Sequence, residues 1–330
     1  MKPLWLFPFF LFALSISCQS EDLPAQDPEP DPEMPEEQWT FSTGKNSYQV
    51  EVDGHLRNVH VHVPNSYQAG TPVPIVFMFH GSGGSGNNVY QTSGWTQKAD
   101  AAGFIGVFPT AMEYFVVELG QMQTKWSAGG LDTELEAGTE IIDDIPFVES
   151  LLTHVRNTFS VDEQRIFASG FSNGGGFTKS RIMAELSDQF AAVATAGGHA
   201  LPQASPILSG DILPIHTIMG NIDNKKLALA NQTAPFPMDA TEIMAHDYLR
   251  GDIEVLCGML NIDPAQFTSE PVEPHWNTLY FQETTDGGSQ EYRFRMVKDM
   301  GHIWPNGNNH ASELSAPDVF WDFFVQHPKN

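Results

Sequence analysis

The chain has 330 residues, of which 41% are hydrophobic, and a formal net charge of −25 at pH 7. This length and apolar content suffice to bury a sizeable core, which excludes an intrinsically disordered chain. The acidic balance makes nucleic acid and anionic membrane surfaces poor partners for the folded part.

The first 18 residues have the pattern of an export signal. Lys2 precedes an apolar stretch from Leu4 to Ile16 that is too short to span a bilayer. The sequence "LSISC" that follows resembles a bacterial lipobox, which predicts cleavage before Cys18 and acylation of its thiol. A conventional signal peptide cut elsewhere is the alternative. We therefore expect an exported lipoprotein at the outer membrane or cell surface, or alternatively a secreted soluble protein, with the lipid anchor as its only membrane contact.

Residues 19–38 predict a tether, because they hold eight acidic residues, five prolines and no basic residue. Residues 39–330 are then expected to form one folded domain, since neither internal repeats nor a second linker are found in this stretch. Cys257 lies in the apolar stretch "IEVLCGML" and is interpreted as a buried hydrophobic residue rather than a nucleophile.

The elements that follow alternate between strand and helix. Two period-two runs, "SYQVEV" and "LRNVHVHV", predict an antiparallel hairpin, and the apolar run Val73–Phe79 predicts a buried central strand. A helix is predicted after Asp144, where apolar residues recur at helical spacing, and another at "APDVFWDFFVQ". The other predicted strands are "FIGVF", "RIFAS", "AAVATA", "PIHTIM", "TLYFQE" and "YRFRMV". This order predicts an α/β fold with a mostly parallel sheet flanked by helices and an antiparallel N-terminal edge hairpin.

The stretch "RIFASGFSNGGGF" places Ser172 between two glycines, after a predicted strand and before a predicted helix. This is the context of a nucleophile elbow, in which Gly170 and Gly174 allow a strained turn and a close approach of backbones. We therefore predict Ser172 as a catalytic nucleophile.

A serine nucleophile needs a general base and an acid that orients it, and in this architecture they follow it in the chain. His302 in "DMGHIWPNG" comes after the last predicted strand, and Asp223 in "GNIDN" comes directly after another. These two residues are the predicted base and acid. The alternatives are His199 and His310 for the base, and Asp299 and Asp286 for the acid.

Two backbone amides are expected to bind the oxyanion of the tetrahedral intermediate. The loop "HGSGGSG" after the central strand offers the amide of Ser82, and the residue after the nucleophile offers that of Asn173. The same loop lacks the lysine of a phosphate-binding loop, which argues against nucleotide binding.

Together, "HGSGGSG", "DDIPFVESL", "RIFASGFSNGGGF", "GNIDN" and "GHIWPNG" resemble the polyhydroxybutyrate depolymerase-like esterases, a group that includes feruloyl and acetylxylan esterases. The resemblance implies an α/β-hydrolase fold, no cofactor or metal, and a Ser-His-Asp triad that falls on Ser172, His302 and Asp223. It also implies an ester substrate, here expected to be feruloyl or acetyl groups on plant polysaccharides. Alternatives are a short-chain polyester depolymerase, a peptidase or lipase of this fold, and a non-catalytic surface glycan-binding protein.

Substrate-binding residues are predicted from position alone. Trp126 and Trp304 are the aromatic candidates for contact with a substrate ring. Phe236, Met238, Met244 and Met259, between the acid and the base, could line an acyl pocket or pack an accessory helix onto the sheet.

Overall fold

The computed structural model describes residues 38–199, 212–282 and 290–329, which fall within one compact unit, Glu36–Asn330. The predicted signal peptide, with Cys18, lies outside these residues, as does all of the predicted tether except its last residue. In the described ranges, no helix combines the length and apolar character needed to cross a membrane.

Twelve strands are present in the described residues, and ten of them form the central sheet. The strands are β1 Gly44–Val52, β2 His55–Val63, β3 Val73–Phe79, β4 Ile105–Pro109, β5 Met112–Val116, β6 Gln121–Lys125, β7 Val161–Phe171, β8 Ala192–Ala196, β9 Ile215–Gly220, β10 Phe267–Val272, β11 Trp276–Gln282 and β12 Glu291–Val297.

The sheet has the order β1-β2-β4-β3-β7-β8-β9-β12-β11-β10. Its six central strands, from β4 to β12, pair in parallel, and β1 and β2 form the predicted antiparallel hairpin at one edge. The other edge, β11 and β10, is also antiparallel, a feature that was not predicted from the sequence. The remaining pair, β5 and β6, forms a separate hairpin.

The helices in the described residues are α1 Gly86–Thr92, α2 Trp95–Ala102, α3 Ile145–Thr158, α4 Asn173–Phe177, α5 Met183–Glu185, α6 Asn224–Leu229, α7 Ala240–Ala245, α8 Asp247–Met259 and α9 Ala316–Phe324. A π-helical turn, Thr178–Ile182, joins α4 to α5.

Strand β3 shows how the sheet separates two cores. Its residues Ile75, Phe77 and Phe79 pack with α3 on one face, whereas Val76 and Met78 pack with α2 and α9 on the other. Successive side chains of a strand point to opposite faces, so a strand buried on both sides reads as a continuous apolar run. The predicted helices on both faces of the sheet are therefore present.

The segment between the predicted acid and base forms α6, α7, α8 and β10. Phe236 is buried and stacks on Tyr248 with ring centroids 5.8 Å apart. Met238, Met244 and Met259 pack against the larger core. These contacts support the packing interpretation of the four residues, whose side chains attach the accessory segment to the sheet, and none of the four is among the residues that border the cavity at Ser172.

Candidate active site

The carboxyl ends of the parallel strands meet at one edge of the sheet, and Ser172 lies there, between β7 and α4. Its φ of 51° and ψ of −118° are strained for a residue with a Cβ. The strained conformation is held by two backbone bonds: the amide of Ser172 donates to Ala196, and its carbonyl accepts from Gly176. The hydroxyl is thus presented at the sheet edge by a fixed turn.

The two glycines of the motif are required by close contacts. A Cβ on Gly170 would lie 2.4 Å from the carbonyl oxygen of Gly174. A Cβ on Gly174 would lie 2.3 Å from the carbonyl oxygen of Phe79, at the end of the neighbouring strand. Both distances are too short for any side chain, so the turn can form only with glycine at these positions.

The structure brings Ser172, His302 and Asp223 together in one hydrogen-bonded chain. Nε2 of His302 lies 2.8 Å from Oγ of Ser172, and Nδ1 lies 2.8 Å from Oδ2 of Asp223. The histidine side chain is 17% exposed and the carboxylate only 2%. Since the carboxylate can only accept, the imidazole carries its proton on Nδ1 and offers Nε2 to the serine hydroxyl.

The charge state of Asp223 follows from its surroundings. Burial alone would raise the pKa of this carboxyl, but hydrogen bonds from His302 and from the amides of Lys225 and Lys226 lower the pKa overall. Its Oδ1 accepts these amides at 2.9 and 3.1 Å, which makes Asp223 the N-cap of α6. The carboxylate is therefore ionised and its orientation is fixed by a helix.

Two loops that follow β9 and β12 hold the acid and the base side by side. A Cβ on Gly220 would lie 1.9 Å from the carbonyl oxygen of Met300, so the two backbones touch at this glycine. The amide of Ile222 donates to Met300, and the side chain of Asn221 accepts from the amide of Asp299. This contact fixes the spacing between the carboxylate and the imidazole.

None of the rival residues that the structure describes occupies these places. His199 pairs with Asp252, and Nδ1 of His310 lies 2.8 Å from the hydroxyl of Ser312. Asp299 is a turn residue with a φ of 57°. Asp286 lies outside the described residues.

The two predicted oxyanion donors lie beside Ser172, although their role stays a prediction. Asn173 is the first residue of α4, where an amide has no partner inside the helix. The Asn173 side chain makes two hydrogen bonds to the backbone of Trp126: Oδ1 accepts from the amide at 2.8 Å, and Nδ2 donates to the carbonyl at 3.3 Å. Ser82 lines the same cavity as Ser172.

The loop that carries Ser82 is fixed by the buried ring of His80. Its Nε2 accepts from the amide of Ala111 at 3.0 Å, and Nδ1 donates to the carbonyl of Gly81 at 2.7 Å. Burial lowers the pKa of this imidazole to about 4, so the ring is neutral and both bonds persist at neutral pH. A Cβ on Gly81 would lie 3.2 Å from the Cβ of Ser172, which shows how closely the loop approaches the serine.

Of the two tryptophans predicted to contact a substrate ring, one is excluded by its burial and the other is not. Trp126 is wrong as a substrate-binding residue, because it is fully buried, stacks on Phe177 and donates from Nε1 to the carbonyl of His80. Trp304 is 9% exposed and donates to the carbonyl of Ser93. It also lines a cavity of about 320 Å³ that His302 touches, so its predicted contact with substrate stays open.

Ser172, His302, Ser82 and Asn173 all border one cavity of about 560 Å³. Its walls also include parts of β5 and β6 and of α6. Neither the β5–β6 hairpin nor its place beside the serine was predicted from the sequence. Among the described residues, no group of three or more His, Cys, Asp or Glu side chains is arranged to hold a metal ion.

A network of polar and ionisable side chains that borders this cavity was also missed. Asp252 of α8 lies 3.3 Å from Nδ1 of His199 and 3.6 Å from Nζ of Lys226. Lys179 lies 3.5 Å from the carbonyl of Gly198, and burial lowers its pKa to about 8. The network ties α8 to the helix that Asp223 caps. Its members come from distant segments, so no local spacing could have indicated it.

Comparison with known proteins identifies two relatives that are named as esterases. No protein-family model matches the chain. NocK of Nocardia uniformis subsp. tsuyamanensis, named only as an esterase, is 28% identical over 188 residues, which is 57% of this chain and 51% of that protein. The bifunctional acetylxylan esterase/xylanase XynS20E of Neocallimastix patriciarum is 26% identical over 153 residues, or 46% of this chain and 19% of that protein. The chain thus spans about half of the first relative and about a fifth of the second.

The solved structures show the fold over a longer stretch. The acetyl xylan esterase from Aspergillus awamori superposes with a TM-score of 0.57 at 15% identity, over 85% of this chain and 99% of that one. At this identity the likeness establishes architecture rather than substrate. The chain has the α/β-hydrolase fold, and its predicted resemblance to esterases is confirmed by the two relatives that are named as esterases.

Proposed function

We propose that this protein hydrolyses carboxylic esters with Ser172 as the nucleophile. The observation that carries the proposal is the unbroken chain from the ionised Asp223 through His302 to the serine hydroxyl, with both contacts at 2.8 Å. Such a chain converts an ordinary hydroxyl into a nucleophile, because the base accepts the proton as the oxygen attacks.

The reaction proceeds in two halves. Nε2 of His302 takes the proton of Ser172 as Oγ attacks the ester carbonyl, and the amides of Ser82 and Asn173 stabilise the oxyanion. The imidazolium returns its proton to the leaving alcohol, which breaks the ester bond and leaves an acyl-serine. Water, deprotonated by the same imidazole, then attacks the acyl-serine, and collapse of the second oxyanion releases the acid and restores the serine.

We further propose that the ester is a feruloyl or acetyl group on a plant polysaccharide or its oligomers. Two similar proteins are named as acetylxylan esterases. The cavity of about 560 Å³ is in the range that holds groups much larger than acetyl, which favours a bulky acyl group. The intact hydrogen-bonded chain favours catalysis over a purely glycan-binding role.

Hydrolysis by purified protein tests the activity. Wild-type protein is expected to release acid from methyl ferulate, acetylated xylan or p-nitrophenyl acetate, and Ser172→Ala is expected to lose at least about 10⁴-fold in kcat. Ser269→Ala, an exposed serine on the edge strand β10, serves as the matched control and is expected to behave like wild type. Full activity of Ser172→Ala would exclude this mechanism. Hydrolysis of hydroxybutyrate oligomers or peptides instead would exclude the proposed substrate.

We also propose that the protein is exported and anchored by a lipid on Cys18. The support is the sequence "LSISC" after a short apolar stretch, followed by an acidic, proline-rich segment. Incorporation of radiolabelled palmitate into wild-type protein but not into Cys18→Ser is the expected result. Equal labelling of both, or of neither, would refute the anchor.

A further inference from the structure

The hairpin formed by β5 and β6 carries an unusual share of exposed apolar side chains. Phe115, Val117, Leu119 and Met122, all large, are each at least 43% exposed to solvent. Phe115 and Met122 lie opposite each other across the two strands. Single exposed apolar residues are ordinary, but a concentration of them beside a cavity marks a binding surface.

Two exposed leucines reach the cavity that contains Ser172. Leu119 lies at the turn of the hairpin and is 55% exposed, and Leu229 is the last residue of α6 and is 61% exposed. Both border the same cavity as the serine and His302. The two leucines belong to separate elements of the chain, the turn of the β5–β6 hairpin and the end of α6, and the cavity brings both of them next to the serine.

The polar residues of this wall indicate the kind of apolar group that fits. Gln123 and Lys225 also line the cavity, and the Lys225 side chain takes part in none of the ion pairs found among the described residues. An alkyl chain would cover these donors without giving them an acceptor, which is costly. An aromatic ring that carries hydroxyl or methoxyl groups offers apolar faces to the leucines and oxygen acceptors to the donors.

We propose that Leu119 and Leu229 form an apolar clamp that binds the aromatic ring of a hydroxycinnamoyl-type acyl group. The inference rests on the proposed esterase function and assigns the specificity of that site to two residues outside the hydrogen-bonded chain. Because the leucines act by burying the ring, their loss should lower kcat/KM for aromatic acyl esters and leave that for acetyl esters intact.

Three methyl esters that share one leaving group test the clamp: methyl ferulate, methyl octanoate and methyl acetate, all followed by acid release. Leu119→Ser and Leu229→Ser are each expected to lower kcat/KM for methyl ferulate about tenfold. Turnover of methyl acetate should stay within about twofold. Leu56→Ser is the matched control, since Leu56 is 58% exposed on β2 and does not border the cavity.

The outcomes separate the clamp from the proposed function. Equal losses for methyl ferulate and methyl acetate, or no loss for either, would overturn the clamp while Ser172-dependent turnover upheld the esterase. A loss confined to methyl octanoate would overturn the aromatic occupant in favour of an alkyl chain. If wild-type protein hydrolyses none of the three methyl esters, the clamp fails, and the proposed function fails with it only if acetylated xylan and p-nitrophenyl acetate are not hydrolysed either.

Discussion

Replacing Asp223 by asparagine tests the role of the carboxylate next to His302 without removing its helix cap. Oδ1 of Asp223 accepts the amides of Lys225 and Lys226, and Oδ2 faces Nδ1 of the imidazole. In the variant, the amide oxygen must stay at the Oδ1 position, because an NH₂ group there would face two N–H donors. The NH₂ group is then directed at Nδ1 of His302.

This orientation forces the imidazole into the wrong tautomer. Nδ1 must accept from the new NH₂ group, so the ring proton moves to Nε2 and points at the hydroxyl of Ser172. The serine then has no base. A loss of about 10⁴-fold in kcat is expected, equivalent to about 5 kcal/mol of transition-state stabilisation. Because the cap bonds persist, the free energy of unfolding should change by less than about 1 kcal/mol.

Asp239 provides the matched control. It caps α7 in the same way, with Oδ1 accepting the amides of Thr241 and Glu242 at 2.9 and 3.1 Å. Both variants would be compared by kcat and KM on p-nitrophenyl acetate and by urea unfolding. Asp239→Asn should match wild type in kcat. Activity of Asp223→Asn within about tenfold of wild type, or an equal loss in Asp239→Asn, would show that the Asp223 carboxylate does not set the tautomer of His302.

Three further predictions concern stability. Burial would raise the pKa of Glu291, but hydrogen bonds, first among them that from His327, lower it from 4.5 to about 2. The stabilisation that ionised Glu291 gives the folded state is therefore complete above about pH 5 and is lost as the pH falls towards 2. The loss in free energy of unfolding caused by Glu291→Gln, measured with urea, should shrink over that range. A loss that is constant with pH would contradict this prediction. Gly174→Ala places a Cβ 2.3 and 2.4 Å from two backbone carbonyl oxygens and should cost about 3 kcal/mol by the same measurement, and a loss near zero would show that the turn can relax. Asp144→Ala leaves Arg57, 2.6 Å away in a fully buried ion pair, without its partner, and should cost about 4 kcal/mol; a thermal midpoint equal to that of wild type would exclude this role.

The central strands were predictable because their burial is complete. The run Val73–Phe79 is apolar at every position, and its ends agree with those of β3. The hairpin of β5 and β6 was missed because it lies outside the ten-stranded sheet and its strands are only partly buried. The sequences "MEYFV" and "QMQTK" therefore lack the continuous apolar run of a buried strand. Exposure of this kind depends on tertiary context, which a local pattern does not record.

The positions of Ser172, Asp223 and His302 could be predicted because chain order and strand ends restrict where such residues can lie, and the structure brings all three together. Their catalytic roles remain predictions. The prediction that Trp126 contacts substrate was wrong because the position of a residue in the chain does not show which way its side chain points. Its Nε1 donates a hydrogen bond to the backbone carbonyl of His80, and its ring packs into the core.

Covalent labelling measures the reactivity of Ser172 most directly. Wild-type protein would be treated with a fluorophosphonate and digested, and the modified peptide identified by mass spectrometry, with His302→Ala treated in parallel. One adduct is expected, on Ser172, formed rapidly in wild type and at least about 10³-fold more slowly without the imidazole. An adduct on another residue, or labelling of Ser172 at the same rate in both proteins, would contradict it.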